Sequence, residues 1–109
     1  AYDLVSLLED ARRDVPPQLV AAMLERYIHN TGAAPERLYA AYALLGAQRN
    51  SKIIGIFARL AARDHKQHYL DYLPRVWRHL ETDLQHPLLA PLKSWLDQHV
   101  PQEYRGVIT

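Results

Sequence analysis

Residues 48 to 66, QRNSKIIGIFARLAARDHK, decide the fold. Wound at about 100° per residue, the run from Lys52 to Lys66 sorts into three bands. Ile53, Ile54, Ile56, Phe57, Leu60 and Ala61 occupy a wide apolar arc of the kind that faces a core. Gly55, Ala58 and Ala62 share a second arc, where small side chains would admit a close neighbouring helix. Lys52, Arg59, Arg63 and Lys66 line the remaining stripe. The pattern predicts a central helix over about residues 50–65, buried on two sides and cationic on the third.

Working outward, Pro35 opens a helix that runs to about Ala47, with Leu38, Tyr42 and Leu45 inside and Gly46 weakening its last turn. The polar residues Arg49 to Ser51 read as a short interruption, with Asn50 or Ser51 as N-cap of the central helix. Further upstream, Leu19/Val20, Met23/Leu24 and Tyr27/Ile28 recur every four residues, between a first-turn Pro17 and a glycine stop at Gly32. Tyr2 to Arg13 reads as a first helix, with Leu4, Leu8 and Ala11 on one face. Downstream, Tyr69, Leu70 and Leu73 suggest a further turn or two, and Pro74 starts or kinks a helix carrying Val76, Trp77, Leu80 and Leu84. His86-Pro87 breaks the pattern, and a last helix opens at Pro91 and closes at Pro101. No stretch alternates with period two for long enough to be a strand. The expected fold class is all-α, with five to six helices around the central one. A single helical subdomain over residues 1–101 carries a tail at 102–109, with Tyr104 tucked back onto the body.

At 109 residues the chain fits one core. A formal charge of +1 argues against a nucleic-acid binder, which would be strongly basic. Bases nevertheless outnumber acids beyond residue 48, so the second half is the likelier place for an anionic ligand. Cysteine is absent, which excludes disulfides and thiolate metal sites and suits a cytoplasmic address. No apolar run reaches membrane-spanning length, so no membrane partner is expected. The chain starts at Ala1 and enters directly on helix-like sequence, which reads as a piece cut from a longer protein.

Complete catalytic motifs are missing. The glycines at 32, 46, 55 and 106 are too isolated to cradle phosphate, and neither a nucleophile elbow nor a His-Glu-x-x-His pair occurs. His65 and His68 could share a helical face, yet no further ligand has a place beside them, so surface histidines and no metal are expected. The cationic stripe reads first as a solvated or salt-bridged face. Its sharper reading is an anion-recognition edge, for which Arg49 and Lys52 are the candidates because they flank the predicted helix N-terminus. Asp3 either complements the positive end of the first helix or is a buried carboxylate holding a loop outside this stretch. Trp77 and Trp95 lie in apolar registers and read as core anchors, with an aromatic sugar platform as the other reading.

The opening AYDLVSLLEDA, then Gln48-Arg49, KIIGIFARL at Lys52 to Leu60, Arg63-Asp64, Tyr69-Leu70 and Leu73-Pro74 together resemble the C-terminal helical region of the aminoglycoside phosphotransferase and choline kinase-like superfamily. Within it, the resemblance is closest to the cell-wall-recycling kinases that phosphorylate the anomeric hydroxyl of N-acetylmuramate and N-acetylglucosamine. It covers residues 1 to about 75 well and the remainder loosely. The pattern is broken at Asn50 and Ser51, where a histidine and an aliphatic residue are expected, and at His65, where glycine is usual.

The resemblance implies the helical C-lobe part of a protein-kinase-like enzyme using ATP and Mg2+. Its ATP-binding lobe, catalytic loop and metal-binding loop would all lie upstream of Ala1. It implies that Asp3 anchors the catalytic loop, and that Gln48, Arg49 and Lys52 border the sugar pocket. The isolated chain would then hold no catalytic residue and bind neither cofactor. It would self-associate, if at all, through the surface on which the rest of the enzyme docks. The alternative is a non-catalytic helical protein-interaction module.

Overall fold

Between Pro35 and Arg63 there is no proline, and the two glycines in that span are the only residues with strongly unfavourable helix propensity. The polar step at Gln48 to Ser51 is therefore too weak to stop a helix. In the computed structural model, which describes residues 1–105, one uninterrupted helix fills Pro35–Arg63. The predicted break at Arg49 to Ser51 does not exist, and Asn50 caps nothing: it is fully buried in mid-helix.

In chain order the elements are α1 (Tyr2–Leu8), α2 (Pro17–Thr31), α3 (Pro35–Arg63), α4 (Leu73–Asp83) and α5 (Ala90–His99). Short 3-10 segments occupy Gln67–Tyr72, Pro87–Leu89 and Gln102–Tyr104. Among the described residues there is no strand, so the all-α class holds. Prolines sit in the first turns of α2, α3, α4 and α5, where a missing N–H costs nothing. Gly32 ends α2 in the left-handed conformation at φ 71°, with its N–H on the Ile28 carbonyl at 2.9 Å.

At about 1.5 Å per residue, α3 runs nearly the length of the molecule, whose longest extent is 46 Å. It is the spine of two cores. Toward its start, Leu38 and Tyr42 pack with Val5 and Leu8 of α1 and Leu24 of α2. Further along, Ala43 and Ala47 pack with Leu73, Trp77, Leu80 and Leu84 of the α4 region, extended by Leu89 and Leu96. Val5, Leu73, Val76 and Leu80 are almost completely enclosed, each worth roughly 1.5–3 kcal/mol on burial.

Several expectations are corrected. α1 stops at Leu8 rather than Arg13, because Asp10 Oδ1 accepts the Arg12 backbone N–H at 2.8 Å and turns the chain out of the helix. The small-residue arc is not a close helix contact at its two ends: Gly55 and Ala62 are exposed, Ala58 is half-buried, and among the described residues a Cβ at Gly55 would touch nothing. The close approach falls at Gly46 instead, where a Cβ would lie 2.5 Å from Asp83 Oδ2. Trp77 is buried as expected, but Trp95 is 53% exposed and stacks on His99 at 4.4 Å, because Leu96 takes the inward position of α5. Tyr104 also faces solvent. The residue that folds back is Arg105, which donates to the Val100 carbonyl at 2.8 Å and to Asp97 at 2.9 Å, with its guanidinium 5.4 Å above the Trp77 ring. The remainder of the expected tail, 106–109, lies outside the described residues.

The far end of α3 leaves the helix at His65, at φ 57° the only non-glycine residue with positive φ among the described residues. The Lys66 N–H closes on Leu60 O at 3.0 Å and Gln67 Nε2 on Ala61 O at 2.8 Å, so carbonyls freed at the helix end are satisfied. The chain then doubles back through Gln67–Tyr72 onto α3.

Candidate functional site

Three elements converge on one side of α3. The α1 end and the turn after it bring Ser6, Asp10, Ala11 and Arg12. α3 contributes Arg49, Ile53 and Phe57, spaced four apart and hence on one face. The 3-10 segment adds His68, Tyr69 and Tyr72. Together they line a cleft of about 510 Å³.

Its floor is aromatic. Phe57 lies 4.9 Å from Tyr69 and 5.9 Å from Tyr72, ring centre to ring centre, and His68 packs on Tyr69 at 4.3 Å. Its rim is charged. Arg49 is half-buried and donates to the Glu9 backbone carbonyl at 3.2 Å. Among the described residues it forms no ion pair with any carboxylate. Asp10, on the same rim, is engaged by Arg12 and Arg13, each at 3.7 Å. The cleft thus combines apolar ring faces, a hydroxyl, an acid already matched by cations, and one unmatched guanidinium. Such a mixture suits a small polyhydroxylated or anionic molecule with an apolar face.

Directly behind Arg49, Asn50 turns to the interior. Its Nδ2 donates to Glu9 Oε1 at 2.8 Å and to Asp83 Oδ2 at 3.0 Å, joining the turn after α1 to α4 through α3. All three side chains are at least nine-tenths buried, and Gly46 is the residue that leaves room for the Asp83 carboxyl. Burial, and then the neighbouring Glu9 carboxylate, push the Asp83 carboxyl up to about 9, against the opposing pull of the Asn50 amide. Asp83 therefore favours its protonated form far more than an ordinary surface carboxylate does. Burial likewise pushes the Tyr42 hydroxyl above its ordinary value, reinforced by Glu9 and Asp83. The Tyr42 hydroxyl, Asn50 Oδ1 and Asp83 Oδ1 have no hydrogen-bond partner among the described residues. This polar knot fixes the backbone from which Arg49 projects.

Of the residues singled out by sequence, Arg49 lines the cleft, whereas Gln48 and Lys52 are exposed and stand outside its lining. The reason given for favouring Arg49 and Lys52 is overturned: no helix N-terminus lies beside them, since α3 is continuous there. Lys52, Arg59, Arg63 and Lys66 form a solvated face, with no ion-pair partner among the described residues. Asp3 is exposed in the first turn of α1. His65 and His68 are both exposed, and His68 edges the cleft. Sequence reasoning missed Glu9 and Asp83, read Tyr42 only as an inner-face residue, and took Phe57 and Tyr69 for helix packing alone. The repeated aromatics at 69 and 72, one turn of 3-10 helix apart, were the available signal for the cleft floor.

No protein-family model matches the chain. It is, however, 47% identical over 109 aligned residues to the N-acetylmuramate/N-acetylglucosamine kinase of Caulobacter vibrioides, a match covering 96% of this chain and 29% of that protein. The proteins of the same name from Pseudomonas aeruginosa and Neisseria meningitidis serogroup B are 40% and 37% identical, over 87% and 94% of this chain. Those matches cover 30% and 33% of the two relatives, so the chain spans about a third of their length. The resemblance read from the sequence is borne out: the chain is related by descent to a portion of these amino-sugar kinases.

Proposed function

We infer, from this chain's kinship with a portion of the N-acetylmuramate/N-acetylglucosamine kinases, that it is the helical part of an ATP-dependent amino-sugar kinase that serves cell-wall recycling in the cytoplasm. Its work is scaffold and partial acceptor site. The observation that supports this beyond similarity is the cleft: stacked aromatic faces beside Arg49, a surface fitted to a sugar ring bearing polar groups. Phosphoryl transfer depends chiefly on positioning and charge neutralisation, so a rigid platform for the acceptor contributes to rate without touching the phosphate.

Magnesium-bound ATP does not fit the residues described. The two buried carboxylates among them, Glu9 and Asp83, already share the Asn50 amide, and the glycines are too isolated along the chain to cradle phosphates. The nucleotide, the catalytic loop and the metal-binding loop are assigned to the portion of the enzyme preceding Ala1, and Asp3, at the solvent-facing start of α1, to anchoring the catalytic loop. Gln48 and Lys52 sit on the exposed flank next to Arg49, where they extend the acceptor border outward. Among the described residues no helix is long and apolar enough to cross a membrane.

The test is expression of the full reading frame and measurement of ATP consumption with amino sugars, aminoglycosides and choline. Consumption with N-acetylmuramate or N-acetylglucosamine, and none by residues 1–109 alone, is expected. Turnover only with an aminoglycoside or choline would remove the amino-sugar assignment. Turnover by the isolated chain would remove the scaffold assignment.

A further inference from the structure

We propose that Arg49 is the residue that discriminates between acidic and neutral amino sugars, by taking the lactyl carboxylate of N-acetylmuramate, a group that N-acetylglucosamine lacks. The inference rests on the acceptor-site reading above and adds to it the part of the substrate that this cleft wall reads.

The physical basis is an unmatched charge. Arg12 and Arg13 pair with Asp10, and Arg75 and Arg78 with Asp14 at 2.7 and 3.3 Å, while Arg59 and Arg63, with no ion-pair partner among the described residues, are exposed to water. Among the described residues, Arg49 alone of these is held half-buried with only a neutral carbonyl as partner. A guanidinium that has surrendered part of its hydration without gaining a counter-ion is under-stabilised until an anion arrives. The single bond to Glu9 O fixes its direction and leaves most of its N–H donors uncommitted. Those donors match a carboxylate in bidentate geometry.

The neighbours narrow the ligand. Asp10 on the same rim is already matched by Arg12 and Arg13, which leaves the Arg49 guanidinium as the cation open to a ligand carboxylate in this cleft. The rings of Phe57, Tyr69 and Tyr72 supply the flat apolar surface that a pyranose covers with its C–H face. Asn50 fixes the same turn of α3 from behind, so the backbone from which Arg49 projects is held in place.

The experiment compares kcat/KM for N-acetylmuramate, its carboxyl methyl ester and N-acetylglucosamine in the full-length enzyme, as wild type, Arg49→Met and Arg49→Lys. Hydrogen bonds to a charged group translate to roughly ten- to a hundredfold. The ratio of N-acetylmuramate to N-acetylglucosamine should fall by about that factor in Arg49→Met and recover in part in Arg49→Lys. The ester should be a poor substrate relative to the free acid for wild type, and equal to it for Arg49→Met. A loss shared equally by both sugars, or an unchanged ratio, overturns the proposal, because a merely structural Arg49 would move the two together. If the wild-type enzyme phosphorylates neither sugar, the amino-sugar reading itself falls and takes this inference with it.

Discussion

Replacing Asp83 with asparagine removes a buried carboxyl whose raised proton affinity makes folding depend on pH. Asp83 is 3% exposed, and its carboxyl is raised from 3.8 to about 9, chiefly by burial and then by the Glu9 carboxylate beside it. An acid whose folded value lies above its unfolded one holds its proton more tightly in the native state. The stability it contributes is complete below about pH 3.8 and is lost as pH climbs toward about 9. Across the three units from pH 5 to 8, one proton held in the native state and released on unfolding is worth about 4 kcal/mol. That is a large share of the roughly 5–15 kcal/mol typical of a domain. Urea unfolding followed by circular dichroism at pH 5, 6.5 and 8 should therefore show wild-type stability falling steadily. Asp83→Asn, an uncharged near-isostere of the protonated acid, should fall much less, and should exceed wild type at pH 8. Stability that is level or rising over this range in wild type, or an equal slope in the variant, would refute a native Asp83 that holds its proton at pH 7.

Two glycines in the same helix should respond in opposite directions. Gly46→Ala places a methyl group 2.5 Å from the Asp83 carboxyl and should destabilise by about 1–3 kcal/mol despite the better helix propensity of alanine. Gly55→Ala meets nothing and should stabilise by roughly 0.5–1 kcal/mol; chemical denaturation of the pair measures both. Arg105→Ala removes the donor that satisfies the Val100 carbonyl and covers Trp77, and should cost about 1–3 kcal/mol. Arg105→Lys should recover little of that loss in thermal unfolding, since an ammonium cannot reach Val100, Asp97 and the ring at once.

The sequence by itself determined the helical class, the entry of four helices through their prolines and the stop at Gly32, because these are local matters of periodicity, missing donors and backbone freedom. It also carried the kinship, through blocks of residues that stand in order along the chain. What it did not determine is how residues distant in sequence consume one another. Asn50 looked like a helix cap because a polar residue in mid-helix has no local reason to be there. Its reason is Glu9 and Asp83, 41 and 33 positions away. Gly46 looked like a weak helix end and proved to be the seat of the Asp83 carboxyl. Trp95 had the same apolar spacing as Trp77, and only the packing of α5 through Leu96 decided that one is enclosed and the other faces water. Arg49 was named as a candidate on the strength of a helix N-terminus that is not there. The tertiary structure gave it a different one: a charge without an ion-pair partner among the described residues, beside three aromatic rings, a juxtaposition of segments from residues 6–12, 49–57 and 68–72 that no local pattern encodes.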